Sequence, residues 1–476
     1  MKRRHLLGIV VPLVAGRWAR FGQPRPGRAL PPDLALVLRG GRWFARGAWQ
    51  TGDVGIDAGG RLRFGSDLRA PEVLDISGRV LAPGFIDVLA DNGANPTRTF
   101  PIFEKYKVSD GVTTALQMHG GSADCAAFYA AVGGRPHAIN YGVSTFVIAI
   151  RGRAADLRER RRQVEKNLDE GALGVSHSLE YQPAPYAEVL EYARIAKRYE
   201  RPVFLHLRYS SAENELAGVA EAVRLAQDSG ARVHIDHLHS TGGTFHMEEA
   251  LAQLREGISQ GLRLTTCVYP YSYWATYLHS KRFDPGWERR YGLDYADLRV
   301  VGTGERLTAA SFARYRKTVT LVAVPEGTMP FEKTLDLALR ENFCMIASDG
   351  GIQYEPRANS HPRGAGCFAA AIRHALALGM PLENILAKMT DLPRSVVLPA
   401  LKERGVLEEG AVADLAVLDP ATIRGNATLE NPNQFSSGIE LVTVNGKVAY
   451  RSGRQAARNG TAVRYPSSAL PPRAEP

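Results

Sequence analysis

Between residues 156 and 349 the chain repeats one unit, a polar-faced helical stretch followed by a short apolar run that ends on a polar residue. Asp156 to Glu170 leads to Gly174-Val-Ser-His-Ser-Leu-Glu180, Ala187 to Tyr199 leads to Val203-Phe-Leu-His-Leu-Arg208, and Asn214 to Ser229 leads to Val233-His-Ile-Asp-His237. Met247 to Gln260 then precedes Leu264-Thr-Thr-Cys-Val-Tyr269, and Leu335 to Glu341 precedes Cys344-Met-Ile-Ala-Ser-Asp349. A helix between two strands carries the chain back to the same end of the sheet, so such units predict a parallel sheet. At this length the expected closure is an α/β fold of (β/α)8 TIM-like barrel type, whose reactive residues sit at the carboxyl ends of the strands.

The flanks have a different texture. Residues 36 to 81 read as short strands broken by glycine, as in Leu36-Val-Leu-Arg-Gly-Gly and Val73-Leu-Asp-Ile-Ser-Gly. The pattern returns in Ala413-Asp-Leu-Ala-Val-Leu-Asp and Leu441-Val-Thr-Val-Asn-Gly-Lys-Val. A chain of 476 residues is too long for one compact core. The expected organisation is therefore a small β-sandwich domain built from both termini (33–83 plus 400–460) around a barrel (84–399). A leader or disordered arm (1–32) and a tail (461–476) complete it.

The net charge of +10 does not point to nucleic acid. Lys2, Arg3, Arg4, Arg17, Arg20, Arg25 and Arg28 stand in the first 32 residues without an acid, leaving +3 for the rest. No basic stripe with interleaved aromatics appears. Cys125, Cys267, Cys344 and Cys367 lack C-x-x-C spacing, which argues against a zinc ribbon or redox pair, and a disulfide framework does not suit a domain of this size. The basic head and short apolar run up to Val14-Ala15-Gly16 fit a secretory signal, loosely of twin-arginine type, and are too short for a membrane span. Arg17 and Arg20 directly after it fit a disordered arm instead, so cytoplasmic and exported locations both stay open. A homo-oligomer is compatible with everything above.

The predicted strand ends carry the chemistry. His206, His237, Tyr269 and Asp349 each close a different strand at the same end of the sheet. One histidine there has many ordinary roles, whereas two with an aspartate suggest a zinc site, which takes neutral imidazoles and leaves one position open to water. His177 and Glu180 end another strand, with Glu180 a candidate to line a substrate pocket. Asp236 reads as a structural partner, and His239 as a loop histidine or a supporting group. Arg208 and Arg363 are candidates to hold a substrate carboxylate through their forked donors, the alternative for Arg363 being a loop salt bridge.

The stretch Val80-Leu-Ala-Pro-Gly-Phe-Ile-Asp-Val-Leu-Ala-Asp91 resembles the signature of the amidohydrolase superfamily, in which the motif runs into a metal-binding His-x-His. Here those positions are Leu89 and Asp91. His206-Leu-Arg208, Ile235-Asp-His237-Leu and Ser348-Asp349-Gly350 resemble blocks of the N-acyl-D-amino-acid deacylase (D-aminoacylase-like) branch. So do Gly171-Ala-Leu-Gly174, Val268-Tyr269-Pro-Tyr271, His361-Pro-Arg363-Gly and Met389-Thr-Asp-Leu-Pro393, and the likeness covers almost everything after residue 33.

The resemblance implies amide hydrolysis of an N-acyl amino acid or related small amide bearing a carboxylate, with the D-preference resting on it alone. It implies zinc on His206 and His237. The family's further ligand follows Gly-Val-Thr-Thr, where this chain has Gly111-Val-Thr-Thr-Ala-Leu-Gln-Met-His119-Gly-Gly; Gly120 stands at the cysteine's place and His119 is adjacent. Asp349 would be general base and then acid, Tyr269 an oxyanion donor, and His361 with Arg363 part of the substrate site. Without His-x-His, one zinc ion is expected rather than two. Two alternatives remain open: non-hydrolytic work such as cyclisation or dehydration in a biosynthetic pathway, or an inactive ligand-binding relative.

Overall fold

The structure, a computed structural model, describes residues 34–90, 96–350 and 361–465. Expectations for the leader, Asp91 and residues 466–476 lie outside the described residues.

The chain begins with β1 (Leu34–Ala45), β2 (Ala48–Asp57), β3 (Leu62–Phe64), β4 (Glu72–Asp75) and β5 (Val80–Pro83). Then come β6 (Phe85–Asp87), β7 (Val112–Ser122), β8 (Asn140–Phe146), β9 (Val175–Ser178), β10 (Pro202–His206), β11 (Arg232–Ile235) and β12 (Leu264–Val268). Three short strands follow, β13 (Ala275–Tyr277), β14 (Arg299–Val300) and β15 (Leu321–Ala323), and after them β16 (Cys344–Ile346). The chain ends with β17 (Leu415–Leu418), β18 (Ile439–Val444), β19 (Lys447–Arg451) and β20 (Arg454–Gln455).

Strands from both ends of the chain share one nine-stranded sheet, ordered β20-β19-β18-β17-β5-β1-β2-β3, with β4 paired to β1. Its alternating side chains feed two cores, as the twofold period of a strand requires. Leu81, Leu415 and Val417 join Leu38, Trp43 and Ile56 in one apolar cluster on one face of this sheet. Val80, Ala82, Ala416 and Leu418 face the other way and belong to the core shared with the barrel.

The second sheet is an all-parallel run, β6-β7-β8-β9-β10-β11-β12-β16, that curls into a nearly closed barrel. The same alternation builds it. Leu116, Phe204, Cys267 and Met345 fill the interior. Their neighbours Ala115, Val203, Leu205, Val268 and Ile346 pack outward in the larger core that includes the surrounding helices.

The expected helices form at 157–169, 186–198, 215–229, 247–259 and 335–339. Local chemistry sets some of their ends: the Asp156 carboxylate accepts from the Glu159 amide at one N-terminus, which satisfies a donor with no partner inside the helix. Among the described residues no helix is long and apolar enough to cross a membrane.

The strands stop earlier than the sequence pattern suggests. β11 ends at Ile235 and β16 at Ile346, because the chain turns sharply beyond them. His237 and Asp349 both have positive φ, 29° and 45°, a region that non-glycine residues adopt only when their surroundings impose it. Gly350 makes one such turn possible through a close approach: a Cβ there would sit 2.5 Å from Gly364 Cα. The contact it permits is with Gly364, beside Arg363.

Candidate metal and active site

A cavity of about 440 Å³ opens at the carboxyl end of the barrel strands. His119, His206, His237, Tyr269, Asp349 and Arg363, drawn from separate stretches of sequence, all line it. His119 comes from β7, His206 closes β10, and His237 follows β11.

The ligand nitrogens of His119, His206 and His237 all lie within 4.8 Å of one another. His206 Nδ1 faces His237 Nε2 at 3.2 Å, close to the roughly 3.4 Å between two nitrogens bound to one tetrahedral zinc at about 2.0–2.1 Å. Burial pulls His206 down to about 4, although Glu180 opposes the shift. Burial, with His206 and His119 beside it, holds His237 well below its ordinary value. Both rings are therefore neutral at pH 7, the form that donates a lone pair to a metal. The donor set fits a zinc ion.

Carboxylates hold two of these rings from behind. His119 Nδ1 bonds Asp236 Oδ2 at 2.8 Å, and His206 Nε2 bonds Glu180 Oε2 at 2.9 Å. The second of these contacts leaves His206 Nδ1 facing His237, as in carboxylate–histidine–metal arrangements. Burial would raise the Glu180 carboxyl, but Arg282 and His206 outweigh it and draw it down to about 2. Asp236 goes the other way: burial pushes it up to about 6 against the pull of His119.

Asp349 stands at the edge of the cluster, with Oδ2 3.8 Å from His237 Nε2 and 2.7 Å from Arg363 Nη2. The Arg363 guanidinium also lies over the Tyr269 ring, 4.4 Å from its centroid. Burial raises the Tyr269 phenol to about 12, so its hydroxyl keeps its proton at neutral pH.

Other residues singled out in the sequence take different positions. Arg208 is spent on Glu221, with donors at 2.7 and 2.6 Å, and does not line the cavity. Glu180 is engaged by His206, Arg282 and Ser210 and is not among the residues that line the cavity. His361 is buried behind the cavity, stacked on Tyr273 at 4.7 Å, and its Nδ1 accepts from the Arg363 amide. It braces Arg363. Asp236 is the structural partner expected, its partner being His119. His177 bonds the Gln182 carbonyl, and His239 lies buried edge-on to Tyr269 at 4.1 Å.

Arg282 went unrecognised in the sequence. It is buried, lies 4.6 Å over the Trp274 ring and donates to Glu180 at 2.8 and 3.0 Å. It stands directly before Phe283-Asp-Pro-Gly-Trp287, and no periodicity in that stretch marks it.

Comparison with known proteins bears out the resemblance read from the motifs. The chain is 28% identical to an N-acyl-D-glutamate deacylase of Alcaligenes xylosoxydans xylosoxydans, over 91% of this chain and 97% of that one. It is 29% identical to a D-aminoacylase of the same organism, over 80% and 86%. Among solved structures it superposes on the N-acyl-D-glutamate deacylase of Bordetella bronchiseptica with a TM-score of 0.76 and 26% identity, over 91% of this chain and all of the other. That structure holds zinc and a phosphonate that mimics the tetrahedral intermediate. No family model matches the chain. The relatives are hydrolases of carbon–nitrogen bonds other than peptide bonds, and the barrel is that of the D-aminoacylase amidohydrolases.

Proposed function

We propose that this protein is a zinc-dependent deacylase of N-acyl-D-amino acids, cleaving their amide bond at the mouth of the barrel. The observation that carries the reading is the cluster of His119, His206 and His237 with Asp349 at its edge, in one cavity with the cationic side chains Lys281, Arg282 and Arg363. His119, His206 and His237 would hold the ion. A divalent cation there would supply Lewis acidity toward an amide carbonyl and lower the pKa of a water from about 15.7 toward about 7.

The rest is the work of side chains. Asp349 accepts the proton of the attacking water on a carboxylate oxygen and returns it to the departing amine, acting first as base and then as acid. Its contact with Arg363 fixes where that oxygen points. Tyr269, protonated, donates to the carbonyl oxygen as negative charge grows there, a contact worth on the order of 2.7–4 kcal/mol when prearranged. Arg363 at the cavity wall suits a substrate carboxylate, while Lys281 adds positive charge at the exposed rim.

One tight ion per chain is expected, since Leu89 lies buried in the apolar interior of the barrel and offers no ligand atom. The test combines elemental analysis with turnover of N-acetyl-D- and N-acetyl-L-amino acids. Wild type should carry one zinc and favour the D-series. His206→Ala should lose zinc and activity together. Asp349→Asn should keep zinc while turnover falls by about 10²–10⁴, the usual share of general acid–base catalysis. Zinc lost from Asp349→Asn would make that residue a ligand, and activity retained by it would overturn the mechanism.

A further inference from the structure

Seven of the eight junctions expected of a closed barrel are backbone ladders, and the eighth, between β6 and β16, is not among the pairings. Lower on this seam both strands bond to a passing segment: the Ile86 amide donates to Met389 O and the Ile346 amide to Lys388 O. At the upper end a group of side chains spans the gap. Asp87 Oδ1 accepts from the Ser348 amide at 3.0 Å, and its Oδ2 accepts from Ser348 Oγ at 2.6 Å. Lys107, from the helix Pro96–Ser109, places its Nζ 2.7 Å from both Asp87 Oδ2 and Ser348 Oγ. The Gly350 amide in turn donates to Ser348 Oγ at 3.1 Å.

Lys107 and Asp87 are almost fully excluded from solvent, 1% and 0% exposed. Taking two charges out of water is costly, and nonpolar residues of similar size often replace such a pair without loss of stability. A simple seam would therefore need neither charge. What this group adds is location. Its hydrogen bonds grip the residues on either side of Asp349, whose φ of 45° is unfavourable for a side chain with a Cβ.

We infer that Lys107, Asp87 and Ser348 form a clip across the open seam that holds Asp349 in its reactive position, which makes Lys107 and Ser348 positioning residues for the proton carrier. The clip accounts for a backbone held in a sparsely populated region, because bonds on both flanks outweigh the local preference. It also explains why the seam is bridged at the chemical end of the barrel. The inference rests on reading Asp349 as the proton carrier, so its test needs a readout apart from turnover.

Removing Lys107 alone would strand a buried carboxylate and threaten the fold. Ser348→Ala, which leaves the ion pair intact, is the primary variant, with Ser348→Thr as the conservative rescue. A paired Asp87→Asn, Lys107→Met variant probes the charges without leaving one unpaired. Each is loaded with zinc and measured for kcat, KM, zinc content and hydrogen exchange of the peptide covering residues 344–350.

Ser348→Ala should speed exchange in that peptide at least tenfold and lower kcat at least tenfold. KM should stay within about twofold and zinc content should be unchanged. Ser348→Thr should restore both, and the paired variant should behave as Ser348→Ala does. Unchanged exchange in Ser348→Ala overturns the clip. So does faster exchange with normal kcat in a background where Asp349→Asn is inactive. Faster exchange, with turnover indifferent to both Ser348→Ala and Asp349→Asn, leaves the clip standing as an anchor of this turn and removes instead the proposed role of Asp349.

Discussion

A histidine ring has two nitrogens, and the partner of one decides what the other can do. Asp236 bonds His119 Nδ1, and Glu180 bonds His206 Nε2 while His206 Nδ1 faces His237 Nε2. These carboxylates matter through orientation and basicity, an effect typically worth 10–100-fold in metal affinity. Asp236→Asn should therefore weaken zinc binding by about that factor while the protein still folds, because asparagine keeps the size and one acceptor oxygen. A competitive chelator titration reads this directly. Affinity equal to wild type would show that His119 needs no partner, or that it is not a ligand. His206, His237, Tyr269 and Asp349 were legible from position, because residues at the polar ends of apolar strands converge once the sheet closes; His119 was reached only through the resemblance to a known family. Arg282 was not legible in this way. It sits in a 3-10 turn, Lys281–Phe283, far along the chain, and no periodicity announces which residue there will reach Glu180.

At the scale of elements, strands and helices of the central repeat were readable because burial on alternate faces leaves a period of two in Val203-Phe-Leu-His206 and Cys344-Met-Ile346. The small antiparallel sheet of β13, β14 and β15 was not, since three strands of two or three residues carry too little pattern to register. Yet it matters to the site: Thr276 and Leu321, on two of these strands, line the cavity. The turns at the strand ends were also invisible, because positive φ at His237 and Asp349 is imposed by contacts distant in sequence. One of these contacts can be tested. Gly350→Ala would force a Cβ to 2.5 Å from Gly364 Cα, and both partners are backbone with little freedom to yield. The variant should lose about 1–3 kcal/mol, the usual cost of overpacking, seen as a lower melting temperature, and should lose activity as Arg363 shifts from Asp349. A melting temperature and activity equal to wild type would mean that the two turns separate without consequence.

For the whole molecule, the arrangement that suits a metal also sets an acid limit on stability. Burial lowers His177 and His206 to about 4, lowers His234 and His239 to about 3, and holds His237 and His361 well below their ordinary value. In the unfolded chain each would titrate near 6.5. Between that value and the folded pKa the unfolded state binds more protons, so stability rises with pH and is lost as pH falls through this window. Buried acids act in the opposite sense: Asp110, raised to about 7, and Asp236, raised to about 6, together with Glu215, take up protons in the folded state and offset part of the loss. Among the described residues these six imidazoles outnumber the three carboxyls, and a fully shifted group contributes about 1.4 kcal/mol per pH unit, so the net slope favours unfolding on acidification. The zinc-free protein should show a melting temperature that is steady above about pH 7 and falls progressively from pH 6.5 to pH 5. Zinc should hold off the fall, because it binds the neutral rings that protons would otherwise claim. Thermal melts at half-unit pH steps, with and without the metal, test both statements. A zinc-free melting temperature that rises toward pH 5 would mean that the carboxyls dominate and that the histidines at the barrel mouth are far less excluded from water than their packing indicates.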